Sequence, residues 1–69
     1  MTEVELLGSL PEQEQLVVLK RLTLFLRSRE IEAVMERVAG GESIFEAHRS
    51  LGLLERYRGD LRKILFESA

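Results

Sequence analysis

Apolar residues recur along this chain at helical spacing, and one stretch is apolar on every side. Eight of the eleven residues in 16–26 are apolar, and at 100° per residue they point in all directions around a helix. A helix that is apolar all round must be covered all round, which a chain of 69 residues can hardly do by itself. The pattern therefore predicts that another molecule covers this helix, most simply a second copy of the chain.

Start and stop signals divide the chain into helices. A hydroxyl residue followed three positions later by Glu, the capping-box pattern, occurs at Thr2, Ser9 and Ser43. Gly40–Gly41 and Gly52 are helix-stop signals, and no stretch alternates apolar and polar residues as a strand would. The predicted helices are 3–7, 10–26, 28–39, 44–51 and 54–66.

Residues 10–39 allow two interpretations. They form either one long helix or two helices with a bend at Arg27–Ser28, and Ser28 as an N-cap favours the bend. Beyond it, the apolar stripe of the third helix consists of Ile31, Val34, Met35 and Val38. The apolar face of the last helix consists of Leu54, Tyr57, Leu61, Ile64 and Leu65.

These patterns predict an all-α fold: one domain over residues 1–69, a small bundle of four or five helices that forms a homodimer. Residues 1–27 would hold the acidic N-terminal and dimerisation helices, and residues 28–66 the second half. Phe66 lies off the apolar stripe of its helix, so it is expected to contact a partner. The predicted dimer or partner interface is Val18, Leu19, Leu22, Phe25, Leu26 and Phe66.

Composition narrows the classes of protein to which this chain could belong. The absence of Cys excludes disulfides and thiolate metal sites. The run 16–26 is too short for a membrane span and contains Lys20 and Arg21, and the N-terminus is acidic, unlike a secretory signal. We therefore expect a soluble cytoplasmic protein. Its net charge is −2, but residues 43–69 carry a net +1, so a polyanion would be met by the C-terminal half.

No arrangement of residues predicts catalysis, a cofactor or a small-molecule substrate. His48 is the one histidine, with no cluster of carboxylates around it that would make a metal site. It is expected to be a hydrogen-bonded, partly buried helix residue, and Ser43 is expected to be a helix cap. Gly40–Gly41 lacks the Lys and Ser/Thr of a phosphate-binding loop. The chain is predicted not to be an enzyme.

Residues 28–53 carry a possible functional motif. Arg29-Glu30, the Gly40–Gly41 break and the run Glu46-Ala47-His48-Arg49-Ser50-Leu51-Gly52-Leu53 stand in the order found in helix-turn-helix domains. This part of the chain resembles the LuxR-type and Fis-type DNA-binding families. The resemblance implies that Gly52 is the turn glycine, that Leu51 and Leu53 lock the two helices together, and that the last helix is the recognition helix.

The outward face of that last helix is basic. Arg58 and Arg62 lie four residues apart, a like-charge spacing that gains nothing locally and favours an external anion. The implied function is a DNA-binding transcriptional regulator. The candidate nucleic-acid contacts are Arg49, Arg56, Arg58, Arg62 and Lys63.

A second interpretation needs no motif. The acidic N-terminus, the surplus of apolar surface and the modest net charge also fit a helical protein-interaction module, such as an adaptor, an inhibitor or an assembly factor. Its apolar helix would then bind a protein in the helix-in-groove mode.

Overall fold

Helices make up most of the described structure. The computed structural model describes residues 2–67, within which there are six α-helices, one 3₁₀ turn and no strand. The prediction of an all-α fold is confirmed. The elements are α1 (Glu3–Ser9), α2 (Glu12–Leu22), the 3₁₀ turn (Thr23–Phe25), α3 (Ser28–Ala39), α4 (Ile44–Ser50), α5 (Leu53–Arg56) and α6 (Arg58–Glu67).

The predicted capping box at the start of α1 is present. The Glu5 amide donates to Thr2 Oγ1 (3.1 Å) and the Thr2 amide donates to Glu5 Oε1 (2.9 Å), which satisfies two amides that the helix itself leaves unpaired. These hydrogen bonds also lower the pKa of Glu5. The box that Ser43 forms at α4 is half complete: its hydroxyl accepts from the Glu46 amide (3.1 Å).

The prediction that Ser9 caps α2 is wrong. Helix α1 continues through Ser9, whose hydroxyl donates to the Leu6 carbonyl (2.7 Å), and Pro11 occupies the N-cap position of α2. Gln15 then reaches back from α2, and its amide donates to the carbonyls of Leu7 and Gly8 at 3.1 and 3.2 Å. Gln15 thereby satisfies carbonyls at the end of α1 and fixes the turn between the two helices.

Residues 10–39 form two helices, as the bend at Arg27–Ser28 predicted. Helix α2 passes into the 3₁₀ turn, and Leu26 then adopts an extended conformation with ψ of 153°. Ser28 is the first residue of α3 and does not cap it, because the cap position falls on Arg27. The Glu30 carboxylate accepts from the Arg27 amide (2.8 Å) and so performs the capping.

The two predicted glycine stops, at Gly40–Gly41 and at Gly52, are confirmed. Gly40 remains right-handed, whereas Gly41 has φ of +110°. The Gly41 amide donates to Val38 O and the Glu42 amide to Arg37 O, which is the hydrogen-bond pattern of a Schellman motif. Gly52, with φ of +73°, ends α4.

The core consists of two hydrophobic clusters that meet at one side chain. The larger cluster lies among α1, α2, α5 and α6, and the smaller joins α3, α4 and α5. Tyr57 packs against both. The larger cluster contains Leu7, Leu19, Leu22, Leu54, Leu61 and Ile64, and the smaller contains Val34, Ala47 and Leu53.

The predicted last helix is two helices. Tyr57, with φ of −107° and ψ of 30°, separates α5 from α6. Leu61 and Ile64 of α6 belong to the larger cluster, while Tyr57 also contacts the smaller one. The break therefore allows this part of the chain to contribute to both clusters.

The chain covers one side of α2 by itself, which corrects part of the predicted interface. Leu19 and Leu22 are completely buried within the single chain, so they are core residues and not docking residues. Val18 and Leu26 are partly buried against the two clusters. Phe25 remains about half exposed, and Phe66 is 62% exposed.

The predicted apolar stripe of α3 is only half covered. Val34 is buried and Ile31 is partly buried, but Met35 is 65% exposed and Val38 is also exposed. Helix α3 makes its main contact with α4. It therefore leaves a second apolar strip, smaller than that of α2, on the surface.

We expect Leu22→Ala to destabilise the fold strongly, because the substitution leaves a cavity in the larger cluster. Large-to-small changes at buried leucines cost about 2–5 kcal/mol of unfolding free energy, which is a large part of the stability of so small a domain. Urea unfolding followed by circular dichroism measures the change. Met35→Ala, on the exposed strip of α3, is the control and should change the unfolding free energy little; an equally mild effect of Leu22→Ala would contradict the assignment of Leu22 to the core.

Candidate functional site

The outward side of α2 presents exposed apolar side chains between charged ones. Two shallow clefts lie along it, of about 310 and 400 Å³, and Val17 lines both of them. Val17 is 54% exposed and Leu24, in the 3₁₀ turn, is 84% exposed. We call this surface the α2 face and define it as Leu10, Glu14, Val17, Lys20, Arg21 and Leu24.

The two clefts differ in their surroundings. The first lies between α1, α2 and the end of α6, and is lined by Leu6, Leu10, Glu14, Val17, Val18, Ile64 and Leu65. The second is lined by Val17, Lys20, Arg21 and Leu24. The α2 face therefore combines apolar and charged side chains, with a carboxylate in the lining of one cleft and two cations in the lining of the other.

The charges of the α2 face are not neutralised by the described part of the chain. Within residues 2–67, no carboxylate forms an ion pair with Lys20 or Arg21, and no cation forms one with Glu14. Exposed apolar residues next to unpaired charges are typical of a surface that another molecule recognises.

The predicted nucleic-acid contacts on α6 are mostly paired with a carboxylate of the same chain. Glu3, on α1, lies 3.2 Å from Arg62 and 3.9 Å from Arg58. The anion that the spacing of these two arginines predicted is therefore supplied by α1. Arg62 also lies over the ring of Phe66, 5.9 Å from its centroid, within the range of a cation–π contact.

The remaining predicted contacts do not form one basic patch. Arg49 pairs with Glu46 on its own helix at 2.8 Å, and the contact lowers the pKa of Glu46 and raises that of Arg49. Arg56 lies 3.4 Å from Glu30. Among the five predicted contacts, Lys63 alone has no carboxylate partner within residues 2–67.

Glu30 is a buried carboxylate that sequence reasoning assigned only to a helix start. Its Oε1 accepts hydrogen bonds from the Tyr57 hydroxyl and the Arg27 amide, and Arg56 faces its Oε2. The Tyr57 hydrogen bond is the main cause that lowers the pKa of Glu30, followed by the Arg27 amide. The same contact raises the pKa of Tyr57. These groups come from α3, α5 and the turns beside them, so the arrangement connects α3 to the segment 53–57, and a cleft of about 210 Å³ lies beside Glu30 and Arg56.

The sequence predicted that His48 is a hydrogen-bonded, partly buried helix residue. In the structure it is hydrogen-bonded and almost completely buried. Its Nδ1 lies 2.8 Å from the Ile44 carbonyl, and because a carbonyl only accepts, Nδ1 carries the proton of the neutral ring. The other nitrogen, Nε2, is buried without a hydrogen-bond partner in the described residues. Burial lowers the pKa of His48.

The turn between α4 and α5 contains a left-handed glycine between two packed leucines. Gly52 is left-handed, Leu53 is buried in the smaller cluster and Leu51 packs against it. Ala47 is also buried there. However, the segment that follows Gly52 is a four-residue helix interrupted at Tyr57, in place of one continuous recognition helix.

The described residues contain neither a cluster of metal ligands nor a membrane-spanning helix. No three metal-ligating side chains come together in residues 2–67, and no helix there has the length and hydrophobicity needed to cross a bilayer. Comparisons of the chain with protein-family models, curated proteins and solved structures found no significant match.

Sequence reasoning missed most of the α2 face, although a signal for it was present. Glu14, Val17, Arg21 and Leu24 are separated by three, four and three residues, which places them along one face of a helix. The continuous apolar run of 16–26 hid this spacing, because it marked both sides of α2 equally.

We expect Tyr57→Phe to lower stability at neutral pH and to lose this effect in acid. The pKa of Glu30 lies below its ordinary value of 4.5 in the folded chain, so the hydrogen bonds to its ionised form stabilise the fold above pH 4.5 and are lost as the pH falls through the folded value. Thermal unfolding of wild type and variant across this range measures the difference. Glu55→Gln, an exposed acidic control, should follow the wild type; a gap that stayed constant down to the acid limit would contradict the role given to Tyr57.

Proposed function

We propose that this protein is a non-catalytic protein-interaction module and that the α2 face is its binding surface. The observation that carries the proposal is the coincidence of strongly exposed apolar residues, Val17 and Leu24, with two adjoining clefts on one side of one helix. Burying such residues against a partner is favourable by about 25 cal/mol per Å² of apolar surface.

Electrostatics favour a protein partner over a nucleic acid. Phosphate binding depends on cations that are available to release counterions, and four of the five predicted contacts already lie beside carboxylates of the chain: Arg49, Arg56, Arg58 and Arg62. A polyanion would have to displace Glu3 and Glu30 or accept their repulsion. The α2 face needs no such rearrangement.

DNA binding remains the second candidate, and one local observation favours it. The Leu51–Gly52–Leu53 turn has a left-handed glycine and packed leucines. In a helix-turn-helix domain, the turn with these features orients the helix that follows it. In this proposal Lys63 and the outward arginines of α6 would contact phosphates, and the chain would act as a transcriptional regulator.

We expect affinity capture to distinguish a protein partner from background proteins, because retention of the partner depends on Leu24. The tagged chain, expressed in cells of its own source together with the untagged chain, should retain one stoichiometric protein, either another protein or the untagged copy. Leu24→Asp should abolish this retention, because the carboxylate would be buried without a partner. Quantitative mass spectrometry of the eluates measures the effect.

The matched control is Lys63→Asp, which replaces an exposed cation that would matter if the chain bound DNA. It should retain the protein as the wild type does. If the Leu24→Asp chain, still helical by circular dichroism, captured the same protein in the same amount, the α2 face would not be the binding surface.

DNA binding makes a different prediction, which fluorescence anisotropy with labelled duplex DNA tests. If the second candidate holds, affinity rises at low salt and falls steeply as salt increases, and Arg62→Ala with Lys63→Ala lowers the salt slope by roughly 2. Our primary proposal expects no measurable binding at moderate salt. Tight binding that those two changes weaken, and that Leu24→Asp leaves intact, would favour DNA over a protein partner.

A further inference from the structure

The charges and apolar side chains of the α2 face are arranged symmetrically about Val17. Glu14 lies three residues before Val17 and Lys20 lies three residues after it. Leu10 lies seven residues before and Leu24 seven residues after. Two copies of α2 that pack antiparallel with Val17 opposite Val17 therefore place each Glu14 against a Lys20.

We propose that the occupant of the α2 face is a second copy of this chain, packed antiparallel about a two-fold axis at Val17. This inference rests on the proposed function and names its partner. A two-fold interface uses the same surface on both subunits and must be complementary to itself. The α2 face meets this condition in sign of charge at Glu14 and Lys20, while Arg21 lies opposite the uncharged Gln13.

The shapes fit because one end of the face projects where the other end is hollow. Leu24 is the most exposed of the large apolar side chains described, at 84%, and follows α2 directly, since Leu22 and Thr23 keep helical dihedral angles. At the other end of α2, the cleft of about 310 Å³ extends from Val17 to Leu10, whose backbone is extended just before the helix begins. In the antiparallel pair, the Leu24 side chain of each copy enters that cleft on the other.

Parallel packing of the same helices is disfavoured. It would place Glu14 against Glu14 and Lys20 against Lys20, and like charges facing each other across a helix pair are repulsive. The exposed strip of α3, formed by Met35 and Val38, offers no comparable pattern. If two copies of α3 paired through this strip, the neighbouring carboxylates of Glu32 and Glu36 would lie close to carboxylates of the other copy and repel them.

Disulfide cross-linking tests the orientation and the register directly, because the chain has no cysteine of its own. We expect Val17→Cys to form a cross-linked dimer rapidly under mild oxidation. Glu14→Cys alone and Lys20→Cys alone should not, because their sulfurs are offset by six residues, about 9 Å along the axis, beyond the reach of a disulfide. A mixture of these two variants should cross-link to each other.

Met35→Cys is the matched control, an exposed helical position outside the proposed interface. It should cross-link no faster than random collision allows. Self-cross-linking of both Glu14→Cys and Lys20→Cys would indicate a parallel pair and would overturn the proposal, as would a Val17→Cys chain that reacts no faster than Met35→Cys.

Charge variants examined by sedimentation equilibrium give an independent readout. Glu14→Lys should weaken self-association about tenfold, because it replaces two attractive contacts with two repulsive ones, and the double variant Glu14→Lys with Lys20→Glu should restore it. Leu24→Asp should leave the chain monomeric with its helical content unchanged. In a parallel pair, Glu14→Lys would exchange one repulsion for another and change little, which would overturn the proposed orientation.

The outcomes distinguish this inference from the proposed function. If the chain sediments as a monomer up to millimolar concentration and still captures a different protein through Leu24, the second copy is rejected and the interaction module stands. If it is a monomer and captures nothing, both are rejected. A dimer with the Val17 register, lost in Leu24→Asp, supports both.

Discussion

The two hydrophobic clusters of this chain are held together by Tyr57. Its ring packs against both clusters, and its hydroxyl donates to the buried carboxylate of Glu30 on α3. Neither cluster is large enough to define a stable domain alone, since a chain of this size buries only about 60% of its unfolded surface. The break between α5 and α6 follows from this connection, because a continuous helix would direct residues 53–67 along a single line.

The same shortage of chain explains why apolar surface remains outside. Leu19 and Leu22 use all the cover that α1, α4 and α6 provide on one side of α2, and no further element of the described residues is left for the other side. Val17 and Leu24 are therefore exposed because they lie on the side of the α2 segment that the buried leucines do not occupy.

Local signals predicted the helices well and the packing less well. Capping at Thr2, the bend near Ser28 and the glycine stops depend on neighbouring residues, which a sequence displays directly. The division between buried Leu22 and exposed Leu24 depends on which helices lie beside α2, and the sequence between positions 16 and 26 is nearly uniform in hydrophobicity. The pairing of Glu3 with Arg58 and Arg62 joins residues more than fifty positions apart, and no local pattern indicates it.

That long-range pairing bears most directly on function. A basic helix face looks the same in sequence whether its cations are available or already occupied, and here α1 supplies the carboxylate that occupies two of them. On α2 the situation is reversed: Glu14, Lys20 and Arg21 stand beside exposed apolar residues without an ion-pair partner in the described residues. In the proposed antiparallel pair, Glu14 and Lys20 of the two copies would neutralise each other beside the uncovered leucine and valine, at the place where the fold itself leaves these charges unpaired.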